Sequence, residues 1–282
     1  MYTRLIIDKL CVFFIMIEMF FDSIKKGMVV MSVVRKIFVL MCAFLTAAFV
    51  FGGNIDNKVC AAPAKVLKVG TNVGYVPFEF KTDSKSEPQG FDIDFIKAVA
   101  AKMNYRVEFY DYVFDDLITA LNNKEVDVII SAMTINDERK AQISFSEPYF
   151  SSGLAIVAGK NSKINSLSDL EGKTIFVEKG TTGADVAKSV KSANVLEFDT
   201  LSDKFSIIKY WNGAALITDR PVIEYSLKNI DGLKIIGKNL THEEYGIGLR
   251  KADTKLQQEI NAALKSLKNS GEYDKIYDKW FK

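Results

Sequence analysis

The stretch Val126-Asp127-Val128-Ile129-Ile130-Ser131-Ala132-Met133-Thr134-Ile135-Asn136-Asp137-Glu138-Arg139-Lys140 begins apolar, turns small and hydroxyl-bearing, and ends charged. The apolar half reads as a strand. Asn136 and Asp137 read as a helix N-cap, which puts Arg139 in the first helical turn. A strand end, free backbone N–H groups, a hydroxyl and a guanidinium therefore fall within a few residues. Arginine offers parallel donors to a carboxylate, and neighbouring N–H groups add to them in a partly dry cleft. The same pattern also fits a buried strand followed by a solvated helix start, and the residues alone leave both readings open.

On the N-terminal side, Val66 to Thr71 is a short strand ending in the turn-rich Asn72, Gly74 and Pro77, with Tyr75 and Phe78 in the loop. Gly90 opens a helix in which Phe95, Ile96, Val99 and Met103 repeat at helical spacing. Asp92 and Asp94 near its N-terminus suit the helix dipole better than a metal, since no further ligands cluster around them. Arg106 to Tyr110 is a second strand, Phe114 to Leu121 a second helix, and Val126 to Ser131 a third strand. This repeat implies a parallel sheet.

On the C-terminal side, an apolar run from Leu154 to Ala158 precedes a second set. It comprises strand Thr174 to Val177, a helix from Thr182 to Val190, strand Val195 to Phe198, a helix at Phe205 to Tyr210, strand Ala214 to Thr218, and a helix opened by Pro221. Tyr245 to Leu249 is a further strand. Asp253 is expected to cap a helix that buries Leu256, Ile260, Leu264 and Leu267. A last helix from Glu272 carries Tyr273, Ile276, Tyr277, Trp280 and Phe281. Two α/β lobes follow.

The 282 residues are 48% hydrophobic and 26% charged, with a formal net charge of +2. That is enough for real cores and offers no basic footprint for nucleic acid. Ile37 to Phe51 is nearly all apolar, follows Arg35 and Lys36, and leads to Val59-Cys60-Ala61-Ala62, so it reads as a secretory signal peptide cleaved after Ala61, with cleavage after Ala62 nearly as good. A membrane anchor is the competing reading. Cys60, preceded by Asn57 and Lys58, is a poor lipid acceptor. Met1 to Gly27 carries Asp8, Lys9, Glu18 and Asp22 within its apolar run, which disfavours a membrane span and suggests a true start at Met28 or Met31. All three cysteines, Cys11, Cys42 and Cys60, lie in this leader. The mature chain would hold no disulfide, thiolate or Cys-bound metal.

The stretch Ser131 to Arg139 resembles the carboxylate-clamp loop of the periplasmic solute-binding proteins that deliver amino acids to ABC importers. Four other stretches agree in order: Val69-Gly70-Thr71-Asn72 with Tyr75-Val76-Pro77-Phe78, Gly90-Phe91-Asp92-Ile93-Asp94, Gly180-Thr181-Thr182-Gly183, and Leu216-Ile217-Thr218-Asp219. The resemblance runs from about Val66 to the C-terminus. It implies a two-lobe periplasmic-binding-protein (Venus-flytrap) fold, each lobe a mostly parallel sheet flanked by helices. Lobe 1 would span 62–150 and 244–282, and lobe 2 would span 151–243, with 1–61 as leader. The tail would return to lobe 1, making a two-strand hinge near Tyr149 to Gly153 and Thr241 to Tyr245.

The resemblance also implies the site. Ser131, Ala132, Met133, Thr134 and Arg139 come from the clamp. Arg139, helped by backbone N–H groups of Thr134 and Thr182, would take an α-carboxylate, and Asp219 would accept from an α-ammonium. Tyr75 and Phe114 would sandwich the ligand side chain, with Phe78 in the core. Glu178, just before Gly180-Thr181-Thr182, would reach that side chain. Asn72 stands where many relatives that take glutamine or basic amino acids carry Asp, which weakens a cationic ligand. The implied protein is exported, monomeric, without catalytic residues, metal or cofactor, and partnered by a free polar or basic amino acid and the membrane permease of an ABC importer. One rival is a periplasmic dehydratase on the same fold, with Glu178 as general acid. The other is a sensor module. The only histidine, His242, sits at the hinge and is expected to be solvated.

Overall fold

The computed structural model describes residues 65–282; the expected signal peptide, the upstream segment, the expected alternative starts and the three cysteines lie outside them. No helix among the described residues is long and apolar enough to cross a membrane.

Strand β1 (Lys65–Thr71) buries Leu67 and Val69 and pairs in parallel with β2 (Tyr105–Asp111) and β3 (Val128–Ile129). Helix α1 (Phe91–Lys102) connects β1 to β2, as a parallel pair requires. Gly90 caps it with φ +135°, and a Cβ there would lie 2.1 Å from the Phe78 carbonyl oxygen, so only glycine fits. A 3-10 turn, Phe114–Asp116, precedes α2 (Leu117–Asn122), which returns the chain to β3. The clamp helix α3 (Asp137–Gln142) then leads into β4 (Ser144–Phe145).

The chain crosses to the other lobe through β5 (Phe150–Ser152) and continues as β6 (Leu154–Gly159). Next come β7 (Thr174–Glu178), α4 (Thr182–Ser189), β8 (Asn194–Phe198), α5 (Lys204–Ile208), β9 (Ala214–Asp219), α6 (Arg220–Leu227) and β10 (Leu233–Ile236). Strand β11 (Glu243–Tyr245) crosses back, antiparallel to β5, and β12 (Gly248–Leu249) rejoins the first sheet. The sheet orders are β2-β1-β3-β12-β4 and β10-β6-β9-β7-β8, with β11-β5 between them. Two lobes joined by a two-strand hinge result.

Each sheet is mixed: β1, β2 and β3 are parallel, as are β7, β8 and β9, whereas β12, β4, β6 and β10 run antiparallel to their neighbours. The antiparallel strands flank the hinge crossings, where no crossover helix intervenes. Strands β4 and β10 escape the sequence reading because they are short, and the expected strand Tyr245 to Leu249 is two strands. The break falls at Gly246, where Ile135 and Phe145 press so close that a Cβ would sit 2.8 Å and 3.0 Å from them.

Helix α7 (Thr254–Asn269) buries Ile260, Ala263, Leu264 and Leu267. The expected Asp253 cap is absent: its carboxylate takes Arg250 at 2.7 Å instead, and Arg250 also donates to the carbonyls of Leu121 and Val126. Helix α8 (Glu272–Phe281) docks Tyr273, Tyr277 and Phe281 on an aromatic cluster of Phe78, Phe91, Phe95, Tyr149, Phe150 and Tyr245. Trp280 Nε1 and Lys279 Nζ both donate to Asp94. The acid expected to serve the α1 dipole thus fastens the tail to the first lobe.

Candidate functional site: a charged cleft between the lobes

Strands β1 and β3 of one lobe and β7 and β9 of the other end at a shared crevice, where α/β sheets present ligand-contacting residues. A small cavity there is lined by Tyr75, Glu79, Phe114, Ser131, Ala132, Thr134, Arg139, Glu178, Thr181, Thr182 and Asp219. Ten of the twelve residues singled out in the sequence meet in it. Asn72 and Met133 do not. Asn72 turns its amide back to the Tyr112 carbonyl at 2.7 Å and donates its N–H to Ser131 Oγ at 3.0 Å, so it braces the clamp from behind. Met133 is buried in the apolar cluster of Phe114, Leu117 and Ile143.

Arg139 is placed by the local grammar of its helix. Asn136 Oδ1 accepts the Arg139 N–H at 2.9 Å, completing an N-cap one residue ahead of α3. The guanidinium donates to the Thr134 carbonyl at 2.8 Å and, across the cleft, to the Gly180 carbonyl at 3.0 Å, and stacks on Phe114 at 5.1 Å. Two of its five N–H donors are thereby used. Burial lowers its hold on the proton, and Glu243 foremost among nearby acids restores it; a guanidinium stays charged in such a setting.

Opposite it, Asp219 ends β9 and occupies the N-cap position of α6, but its carboxylate caps nothing. It accepts instead from Tyr75 Oη at 2.6 Å and from Ser152 Oγ at 2.7 Å, linking the cleft wall of one lobe and the hinge strand β5 to the other lobe. Glu178, at the end of β7, is 3% exposed, faces the cleft, and its carboxyl has no hydrogen-bond donor among the described residues. Burial first, then Asp219 and Asp199, push it up to about 8. Thr181 caps α4 by accepting the Ala184 N–H, and Gly180 holds φ +73° where a Cβ would meet Asp115 of the first lobe at 2.5 Å. Phe78 is fully buried and Tyr75 lines the cleft, as expected of the pair. His242 is exposed.

Three acids near the cleft lie outside the site expected from the sequence. Glu79 lines it, Asp92 lies behind it, and Glu243 of β11 accepts from Thr134 Oγ1 of one lobe and Thr182 Oγ1 of the other. Burial raises Glu243. A signal for Glu79 was present in Phe78-Glu79-Phe80, an acid flanked by aromatics. Asp92 reads as a helix-start acid, and Glu243, within Thr241-His242-Glu243-Glu244, reads as solvated.

A sequence profile of the bacterial extracellular solute-binding proteins, family 3, matches residues 67–282. The ABC transporter glutamine-binding protein of Bacillus subtilis is 35% identical over 73% of this chain and 77% of its own. An ancestral arginine-binding protein, solved bound to arginine, is 42% identical with a TM-score of 0.72, covering 78% of this chain and 100% of its own. An ancestral amino-acid-binding protein described as a precursor of cyclohexadienyl dehydratase is 37% identical with a TM-score of 0.71, covering 77% and 96%. From its strand order, its hinge and these likenesses, the chain belongs to the bacterial extracellular solute-binding proteins, family 3.

Proposed function

We propose that the protein is an exported, monomeric substrate-binding protein that captures a free amino acid with a polar or basic side chain and hands it to the membrane permease of an ABC importer. One observation carries this reading: Arg139 from one lobe and Asp219 from the other face the same small cavity. An α-carboxylate would take the unused donors of Arg139, with Thr134, Ser131, Ala132, Thr181 and Thr182 around it. An α-ammonium would sit on Asp219. Tyr75 and Phe114 would flank the side chain. A zwitterion spanning the lobes stabilises the closed arrangement over an open one, and the permease would read that difference. Cleavage after Ala61 and lobe boundaries at 150/151 and 243/244 belong to the same reading.

Glu178 favours the basic end of the ligand range. Once Arg139 and Asp219 are matched by the zwitterion, Glu178 is left as a buried acid facing the side chain. A guanidinium or ammonium there requires its ionised form, so binding releases a proton. Arginine affinity is therefore expected to rise by up to about tenfold per pH unit as pH approaches about 8, and to level off above it. Glutamine, whose amide accepts from the protonated carboxyl, lacks this rise. Calorimetric titrations at several pH values check it; arginine affinity flat across this range would remove Glu178 from the side-chain site.

Relatives with known ligands support binding over catalysis. The same raised Glu178 also suits a general acid, the feature a dehydratase on this fold needs. Turnover of a cyclic amino-acid precursor that Glu178→Gln abolishes would establish that second reading.

A further inference from the structure

At the back of the cleft two carboxyl groups are buried, Glu79 in its lining and Asp92 behind it. Glu79 and Asp92 are wholly inaccessible, and their segments meet where the Asp92 N–H donates to the Phe78 carbonyl at 2.9 Å. One oxygen of each is well supplied. Glu79 Oε1 accepts from Ser131 Oγ at 2.8 Å, while Asp92 Oδ2 accepts from the Ala132 N–H and from Tyr149 Oη, both at 2.7 Å. The other two, Glu79 Oε2 and Asp92 Oδ1, are enclosed and meet no donor. The charged or titratable groups acting on the two are Glu178 from the second lobe, Tyr149 beside the hinge and Tyr273 of α8; none is a cation. Two ionised carboxylates in such a place would repel each other and leave two acceptors unsatisfied. One proton between the inner oxygens removes both problems.

We propose that Glu79 and Asp92 form a proton-sharing pair, Glu79 Oε2–H donating to Asp92 Oδ1, and that this pair is the positioning unit tying the clamp loop to the approach to the hinge. The asymmetry follows from the donors. Asp92 receives a backbone N–H and a phenol on one oxygen, which favours its charge, whereas Glu79 receives a single hydroxyl. Burial raises both, Asp92 to about 7, with Glu79 raised well above its ordinary value. Asp92 fixes Ala132 at φ +43°, a region that L side chains rarely occupy, and also holds Tyr149, which directly precedes β5. The inference does not depend on which ligand the cleft takes.

Glu79→Gln and Asp92→Asn test it, each made in a Glu178→Gln background so that Glu178 adds no carboxyl signal. The amide that Glu79→Gln introduces can donate to Asp92 as the proton does, so that variant is expected to keep its unfolding midpoint in the ordinary carboxylate range, while losing the infrared band of a protonated carboxyl at neutral pH. An acid raised on folding keeps a proton that the unfolded chain has released, so stability falls as pH rises from the ordinary carboxylate range through neutrality. Glu79→Gln is expected to flatten that fall. Asp92→Asn, which discards the charge that two donors address, is expected to lower the urea midpoint at every pH. An unchanged infrared band and pH slope in Glu79→Gln would overturn the shared proton. A midpoint for Asp92→Asn as high as that for Glu79→Gln would overturn the positioning role.

Discussion

Arg139→Ala is expected to weaken amino-acid binding by about 2–5 kcal/mol, the usual effect of deleting one partner of a buried charged contact. By titration calorimetry that is well over a tenfold rise in Kd. The loss has three parts in this structure. The ligand carboxylate loses its cation, the Gly180 carbonyl loses a donor reaching across the cleft at 3.0 Å, and Phe114 loses the plane stacked on it. Arg139→Lys should recover little, because an ammonium cannot serve the Thr134 and Gly180 carbonyls and a carboxylate together as the planar fork can. Unchanged affinity in Arg139→Ala would remove the carboxylate site from this cleft.

Asp219→Asn should weaken binding to a similar degree, about 2–5 kcal/mol, while leaving the fold in place. Asparagine keeps an oxygen that can accept from Tyr75 or Ser152, and its amide nitrogen can donate to the other hydroxyl, so the shape of the wall survives while the charge is removed. The α6 terminus is indifferent to the change, since the carboxylate makes no capping bond there. A drop in affinity with an unchanged unfolding midpoint is the expected pair of results. Full affinity would mean that the ligand ammonium is held elsewhere.

What could be read before the structure follows a physical pattern. Arg139 was legible because its placement is local: Asn136, three residues away, fixes its helix turn. The strand and helix succession of both lobes was legible because buried parallel strands are apolar runs bounded by glycine and polar turns. Asp219, Tyr75 and Phe114 took their roles from the resemblance, and the structure sets all three on one cavity. The buried acids were hidden for the opposite reason. Asp92 reads as an ordinary helix-start acid, yet its partners Ala132 and Tyr149 lie far along the chain. Glu243 gathers Thr134 and Thr182 from two lobes, a convergence that no local pattern encodes. Asn72 shows the converse error: a position suited to touching a ligand is spent on bracing Ser131 and Tyr112.

The central claim, that the cleft closes on a polar or basic amino acid, is tested most directly by thermal unfolding of the protein with each of the twenty amino acids. Ligand at a hundred times its Kd should add about 2.7 kcal/mol, a rise of roughly 2–4 °C for a fold of this size. A rise with arginine or another polar or basic amino acid, and none with apolar ones, is the predicted result. No rise with any of the twenty, in protein shown to be folded and free of ligand, would contradict it.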